Sequence, residues 1–278
     1  GGWANLCPAT SLDSLLPPLK VFGDQCAMMA GIAGALAALS FLRKSRETGT
    51  GELIDFSIQE YVCSVLEAGL PAYSYAENVI ARHHPRSLIP WRIFKTKDDP
   101  VFIVCVEQDQ WERLVVFMGN PDWALLEIFV DQPSRAENQD MVHTFVQEFV
   151  SGWGAHDLYH EAQKHRICVA PVMGFSSIQD NEHLRAREFF EIVDCVSSGP
   201  LEFMKGAVKK NGGRAEARTR PPELGHDEVD VDSLKKLKRE FGEGSARLPL
   251  EGLRVLDMTW AWAGPFCSMN LGYLGAEV

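Results

Sequence analysis

An uncharged, largely apolar run extends from Cys26 to Leu42, between Asp24 and Arg43. Its spacing predicts a helix, with Asp24 as N-cap and Arg43, Lys44 and Arg46 set against the negative end of the helix dipole. Gly49 and Gly51 end it. Ala27, Gly31 and Ala35, and likewise Gly34 and Ala38, recur at every fourth position, a spacing that lets neighbouring helices approach closely. The run is rich in Ala and Gly and short for a bilayer crossing, so a buried helix is expected rather than a membrane span. Glu52–Phe56 reads as a short strand, and Ser57-Ile-Gln-Glu60 as a capping box opening a helix that runs to about Tyr75.

From residue 77 to 90 the pattern turns irregular and polar, with Arg82, His83, His84, Pro85, Arg86 and Pro90. Two strand-like segments follow, Trp91–Lys95 and Val101–Val106, paired across a Lys97–Pro100 turn. Asp109–Met118 is a helix closed by Gly119, and helices are expected near 135–150 and 155–165. Ile167–Phe175 is β-rich, Asp180–Arg187 a short helix and Phe189–Val193 a strand. Residues 209–222 read as exposed linker, Asp230–Phe241 as a charged helix and Gly242–Ala246 as a second linker. Gly252–Met258 then has the run of a buried parallel strand, Trp260–Pro265 forms a tight loop, and Phe266–Leu274 has helical spacing closed by Gly275. Ala276–Val278 begins another strand, so one module ends and another opens. The fold class is α/β. Residues 1–82 close a large domain with buried helices, 83–175 form a small α/β domain, 176–247 are a return segment and linker, and 248–278 start a second, truncated module.

The 278 residues suffice for two domains. A net charge of −11 with no basic tract argues against nucleic acid as a partner, while helix N-termini still allow an anionic cofactor. The seven cysteines are scattered with no C-x-x-C pair, which predicts reduced, mostly buried thiols in a cytoplasmic protein and no zinc site. His156, His160 and His165 have helical spacing but no H-E-x-x-H pattern, and Ala155, Leu158, Tyr159 and Ala162 form the opposite apolar face. They read as a solvated face, and no metal is expected.

Leu250, Gly252, Arg254–Asp257, Thr259, Ala263–Pro265 and Leu274–Val278 follow the order L-x-G-x-R-V-L-D-x-T, A-G-P, L-G-A-x-V. This segment resembles the opening of class III (CaiB/BaiF-like) CoA-transferases, a family that includes formyl-CoA and carnitine CoA-transferases and acyl-CoA racemases. Asp24–Arg46 followed by 48–57, Trp91–Asp98, Trp111–Trp123, Val169–Val172 and Leu224–His226 are similar to later blocks of the same family, in the same order. The resemblance implies the end of a Rossmann-like large domain, a small α/β domain, a linker and the first β-loop-α of a second repeat, as in the middle of a fused two-repeat member.

What the resemblance implies chemically is transfer of CoA between an acyl-CoA and a carboxylic acid. An Asp carboxylate attacks the thioester, forming an aspartyl-acyl anhydride and CoA thiolate. The family position of that Asp falls before Gly1, so no catalytic residue is assigned here, and the isolated chain is expected to be inactive. Coenzyme A enters as acyl-CoA substrate, with no metal. Trp262, Ala263, Gly264 and Pro265 are the candidate CoA contacts, since amides preceding a helix can meet an acyl or phosphate oxygen; a turn needing Gly and Pro for geometry alone is the other reading. Trp262 stands where oxalate-using members have a Gln. Together with Trp260 it offers aromatic faces to an onium group such as carnitine or dimethylsulfoniopropionate, or simply packs. His84, Arg86 and Trp91 fall at a family loop that closes over substrate, although this chain lacks its Gly run; Arg86 there either pairs with a carboxylate or is solvated. Alternatives are a non-catalytic structural repeat and an acyl-CoA racemase or CoA-linked lyase. The expected partners are acyl-CoA and a carboxylic acid, with neither nucleic acid nor membrane, and the family implies an interlocked dimer or intramolecular repeat pairing.

Overall fold

The structure is a computed structural model that describes residues 17, 19–66, 69–80, 88–195, 198–213, 224–225 and 247–278. The chain divides into two compact units, residues 1–84 with 229–278, and residues 85–228. The 248–278 stretch, read from sequence as the start of a separate module, thus groups with the N-terminal helices. The charged helix expected at Asp230–Phe241, the Gly242–Ala246 linker and most of the 209–222 linker lie outside the described residues.

In the first unit α1 spans Gln25–Thr48 and stops at Gly49, whose left-handed φ of 75° lets its N–H reach the Ser45 carbonyl. Asp24 occupies the N-cap position without a side-chain cap bond, and its carboxylate lies 3.5 Å from Lys20 instead. Only Ala30, Ser40 and Lys44 of α1 are buried, and a Cβ added at Gly31 or Gly34 would meet nothing within 4 Å. The expected burial and close helix approach are therefore not found among the described residues. With a mean hydropathy of 1.7 over its most apolar window, α1 is long and apolar enough to cross a membrane by length and composition. Glu52–Phe56 forms no strand, having no ladder partner among the described residues. Ser57 accepts the Glu60 N–H at 3.3 Å and starts α2, Ile58–Ser64. The single helix expected to reach Tyr75 is interrupted, and α3 restarts at Gly69–Ala76. Pro71 explains the restart, because a ring without an N–H is tolerated in a first turn and breaks a helix interior.

The second unit holds an antiparallel sheet of order β1-β2-β3, from Trp91–Phe94, Val101–Val104 and Cys168–Pro171, with Trp91 opposite Val104 and Val104 opposite Cys168. Around it lie α4 (Gln108–Phe117), two 3-10 turns (Asp122–Leu125 and Glu127–Phe129), α5 (Gln132–Glu137), α6 (Gln139–Val150) and α7 (Ala155–Lys164). Val142, Val146 and Val150 recur at four-residue spacing and are fully buried, which presses one face of α6 into the core with Phe94, Ile103 and Leu114. Gln147 fastens that helix to the strand end, accepting the Lys95 N–H at 3.0 Å and donating to the Lys95 carbonyl at 2.8 Å. The buried Arg135 guanidinium donates to the Phe129 carbonyl and Gln108, each at 2.8 Å, and lies 4.8 Å over the Trp111 ring. Beyond β3, Phe175 opens α8 (Phe175–Gln179) rather than ending a β stretch, and α9 (Glu182–Ala186) is capped by Asn181. β4 (Phe190–Cys195) pairs with β5 (Gly199–Met204), a strand absent from the sequence reading. Of the described cysteines only Cys105 is buried, contrary to the expected pattern, and burial pushes its thiol up to about 12.

Residues 247–278 complete the first unit. Leu250 is buried and its N–H reaches the Leu274 carbonyl at 2.8 Å. The expected parallel strands are reduced to one bridge, Arg254 with Glu277, flanked by Val255 N–H to Glu277 carbonyl at 2.7 Å and Glu277 N–H to Leu253 carbonyl at 2.9 Å. α10 spans Ala263–Tyr273, starting earlier than Phe266.

In the Lys97–Pro100 turn, the Asp98 carboxylate accepts the Ala155 N–H at 2.7 Å and so anchors the start of α7. That bond first, then those from Thr96 and Asp99, lower its pKa from 3.8 to about 2. A depressed carboxyl stabilises the fold above its unfolded pKa, and the contribution disappears as pH falls through the folded value. Asp98→Ala should therefore lower the thermal midpoint at pH 7. The difference from wild type should shrink between pH 4 and pH 2, as followed by circular dichroism.

The candidate acyl-CoA loop

Asp257, at the exit of the Arg254 bridge, organises the loop that follows. One carboxylate oxygen accepts the Thr259 N–H at 2.8 Å and also the Thr259 hydroxyl, and the other accepts the Ser268 hydroxyl at 2.6 Å. These bonds, Ser268 foremost, hold the carboxyl below its ordinary range and keep it ionised. The chain then turns sharply at Ala261, whose φ is 68°, an unusual value for a residue with a Cβ. Trp262 is the N-cap of α10, its carbonyl accepting the Phe266 N–H at 2.9 Å.

The first turn of α10 is Ala263-Gly264-Pro265. The amides of Ala263 and Gly264 have no acceptor within the helix, and Pro265 has no N–H to lose. Together with the helix dipole, this end suits an oxygen bearing partial negative charge, such as a thioester carbonyl or a phosphate. Gly264 is required here by close approach, because a Cβ on it would lie 2.1 Å from the Cβ of Thr259. Trp260 is 83% exposed and Trp262 50%. Behind the loop the Phe266 ring stands 6.4 Å from Tyr61 of α2.

The structure thus gathers four of the sequence-predicted site residues, Trp262, Ala263, Gly264 and Pro265, into one helix start. His84 and Arg86 lie outside the described residues. Trp91 is a strand residue of the second unit, with its ring edge-on to Phe102 at 6.2 Å. Two open grooves of about 480 and 360 Å³ run along α4 in that unit, and neither is lined by Trp91. Among the described residues no group of His, Cys, Asp and Glu is placed to hold a metal ion, and His165 stands 3.8 Å from Glu161. Sequence reasoning missed the linked trio Asp257, Thr259 and Ser268. The D-x-T pattern was visible, but Ser268 shares it only through a fold that returns α10 to the strand exit.

Comparison with known proteins places this arrangement. The model of CoA-transferase family III matches residues 2–228 and 250–278. The alpha subunit of succinyl-CoA–L-malate CoA-transferase from Chloroflexus aurantiacus is 30% identical over 190 residues, covering 67% of this chain and 44% of that protein. A Mycobacterium tuberculosis protein named as a probable CoA-transferase, Rv1866, is 26% identical over 278 residues, covering 95% of this chain and 34% of that one. The chain therefore spans less than half the length of these relatives. In fold it is similar to the crystal structure of a CAIB/BAIF family protein from Brucella suis, with a TM-score of 0.63 at 19% identity, over 84% of this chain and 60% of that one. The mixed α/β architecture, the D-x-T and A-G-P motifs and the match on both sides of the 229–249 gap agree. The chain belongs to CoA-transferase family III.

Proposed function

We propose that the whole protein transfers CoA between an acyl-CoA and a carboxylic acid, and that the Trp260–Pro265 loop forms part of the surface meeting the acyl-CoA. The observation that carries this reading is the family match over both segments, combined with a helix start preceded by the exposed Trp260 and half-exposed Trp262. The chemistry divides one exchange into easier steps. A carboxylate oxygen bonds to the thioester carbon, the C–S bond breaks, and CoA leaves as thiolate. The acceptor carboxylate then displaces the donor acid at the aspartyl carbonyl. The thiolate attacks the acceptor carbonyl of the new anhydride, giving the acceptor CoA thioester and freeing the Asp carboxylate. The nucleophilic carboxylate is assigned to the protein outside these residues. Backbone donors such as those of Ala263 and Gly264 are of the kind that stabilises a developing oxyanion. We place the protein in the cytoplasm, with the segments before and after residues 229–249 belonging to successive repeats that pair.

For the acids, the Chloroflexus relative is named for succinyl-CoA and malate, which favours a dicarboxylic acid pair. The second reading, an onium acid held by cation–π contact, rests on the exposed indole faces of Trp260 and Trp262.

The test supplies full-length protein with succinyl-CoA and, in turn, malate, glutarate and carnitine, and follows new CoA thioesters by chromatography. Transfer to a dicarboxylic acid, with an acyl-Asp adduct detected by mass spectrometry, is the expected result. The 278-residue chain alone should give no turnover. Racemisation or lyase products without any transfer would contradict the reading, and preference for carnitine would move it to the onium class.

A further inference from the structure

Asp257, Thr259, Gly264 and Ser268 form a closed set around a very short loop. The Asp257 carboxylate ties the strand exit, through the Thr259 N–H at 2.8 Å and its hydroxyl, to the second turn of α10, through Ser268 at 2.6 Å. Ser268 is itself buried, at 8% exposure, so its hydroxyl has little water to exchange with. The Thr259 side chain fills the space beside Gly264, with its Cβ and Oγ1 each 2.1 Å from where a Cβ would sit. Between Thr259 and Gly264 lie only Trp260, Ala261, Trp262 and Ala263, and the span turns through the left-handed Ala261. A loop fixed at both ends over so few residues has little conformational freedom left to lose when a ligand arrives.

Neither indole is fully buried. Trp260 is 83% and Trp262 50% exposed. Trp260 and Trp262 stand on either side of the left-handed turn at Ala261, on a stretch of backbone that Asp257 ties at Thr259. The same carboxylate fixes where α10 begins, and hence where the Ala263 and Gly264 amides point.

We propose that Asp257 is a positioning residue that, through Thr259 and Ser268, presets the Trp260–Pro265 loop for the acyl-CoA. The proposal rests on the CoA-transfer reading above. In this role Asp257 acts through Thr259 and Ser268 rather than on the substrate. Its effect is to order the loop before binding, so that acyl-CoA affinity is not reduced by the cost of ordering it. An Asp257 that merely ended a strand would affect stability alone.

The experiment uses the full-length protein and two variants of Thr259. Thr259→Val keeps the volume beside Gly264 and removes the hydroxyl donor, and Thr259→Ser keeps the donor. Thr259→Val should raise the KM for succinyl-CoA about tenfold while kcat stays within about threefold. It should also shift or broaden the ¹⁹F resonance of Trp262 in 5-fluorotryptophan-labelled protein, assigned through Trp262→Phe. Thr259→Ser should match wild type in both readouts. The proposal is overturned if Thr259→Val leaves KM and the Trp262 resonance unchanged, if Thr259→Ser is equally impaired, or if the loss is confined to the thermal midpoint. Wild-type protein inert toward every acyl-CoA would remove the CoA reading instead. The ¹⁹F comparison would then still decide whether the Thr259 hydroxyl orders the loop.

Discussion

Lys44 holds together two stretches of chain that are about two hundred residues apart in sequence. Its ammonium is almost fully buried, 2.6 Å from the Glu52 carboxylate, and donates to the Arg247 carbonyl. One turn position away, Arg43 donates to the Pro249 carbonyl at 3.2 Å. A buried ammonium is costly unless it is paired and its protons are used, and here a carboxylate and a backbone carbonyl use two of them. The last turn of α1 therefore acts as a socket, its cations set at the negative end of the helix dipole and reaching the carbonyls that open the 247–278 segment. Leu250 follows directly and is one of the few buried apolar side chains of this unit.

The candidate site depends on that seating. Once residues 247–250 are fixed, the Leu250 to Leu274 bond and the Arg254–Glu277 bridge tie the C-terminal end of α10 to the segment that precedes the loop. The Tyr61–Phe266 contact adds a link from α2 to the first turns of α10. The loop between bridge and helix then has a defined span to cover, and Asp257 and Gly264 adapt the chain to it. The order of dependence is electrostatic anchor, short parallel pairing, helix, and finally loop. Each step limits the conformations open to the next.

Much of this was legible from local sequence. The β1–β2 pair, α4 with Gly119 behind it and the Ser57 cap all follow from periodicity and turn chemistry, which act over a few residues. That a helix follows Gly264 and Pro265 was also legible from local signals, although the reading put Ala263–Pro265 in the loop and the helix already begins at Ala263. Features that depend on distant partners were not. Gly252–Met258 has the composition of a full strand, yet pairing requires a neighbour, and the described residues supply one bridge. α1 has the composition of a core helix, yet burial requires something packed on it, and Met28, Ile32 and Leu39 are exposed. β5 escaped notice because its apolar positions are interrupted by Pro200 and Glu202, and the pairing with β4 gives it its register. Asp257, Thr259 and Ser268 were all visible as residues, and only the return of α10 shows that they share one carboxylate.

The central claim is that the helices of residues 19–76 and the 247–278 segment fold as one unit through Lys44 and thereby hold the loop. Hydrogen exchange on Lys44→Met in the full-length protein tests it most directly. Removing one partner of a buried pair costs about 3 kcal/mol or more, which corresponds to exchange faster by about a hundredfold. The account predicts that loss of protection at Leu250, Val255 and Glu277, with the amides of Val142–Val150 unchanged. Undiminished protection across 250–277 in the variant would contradict it.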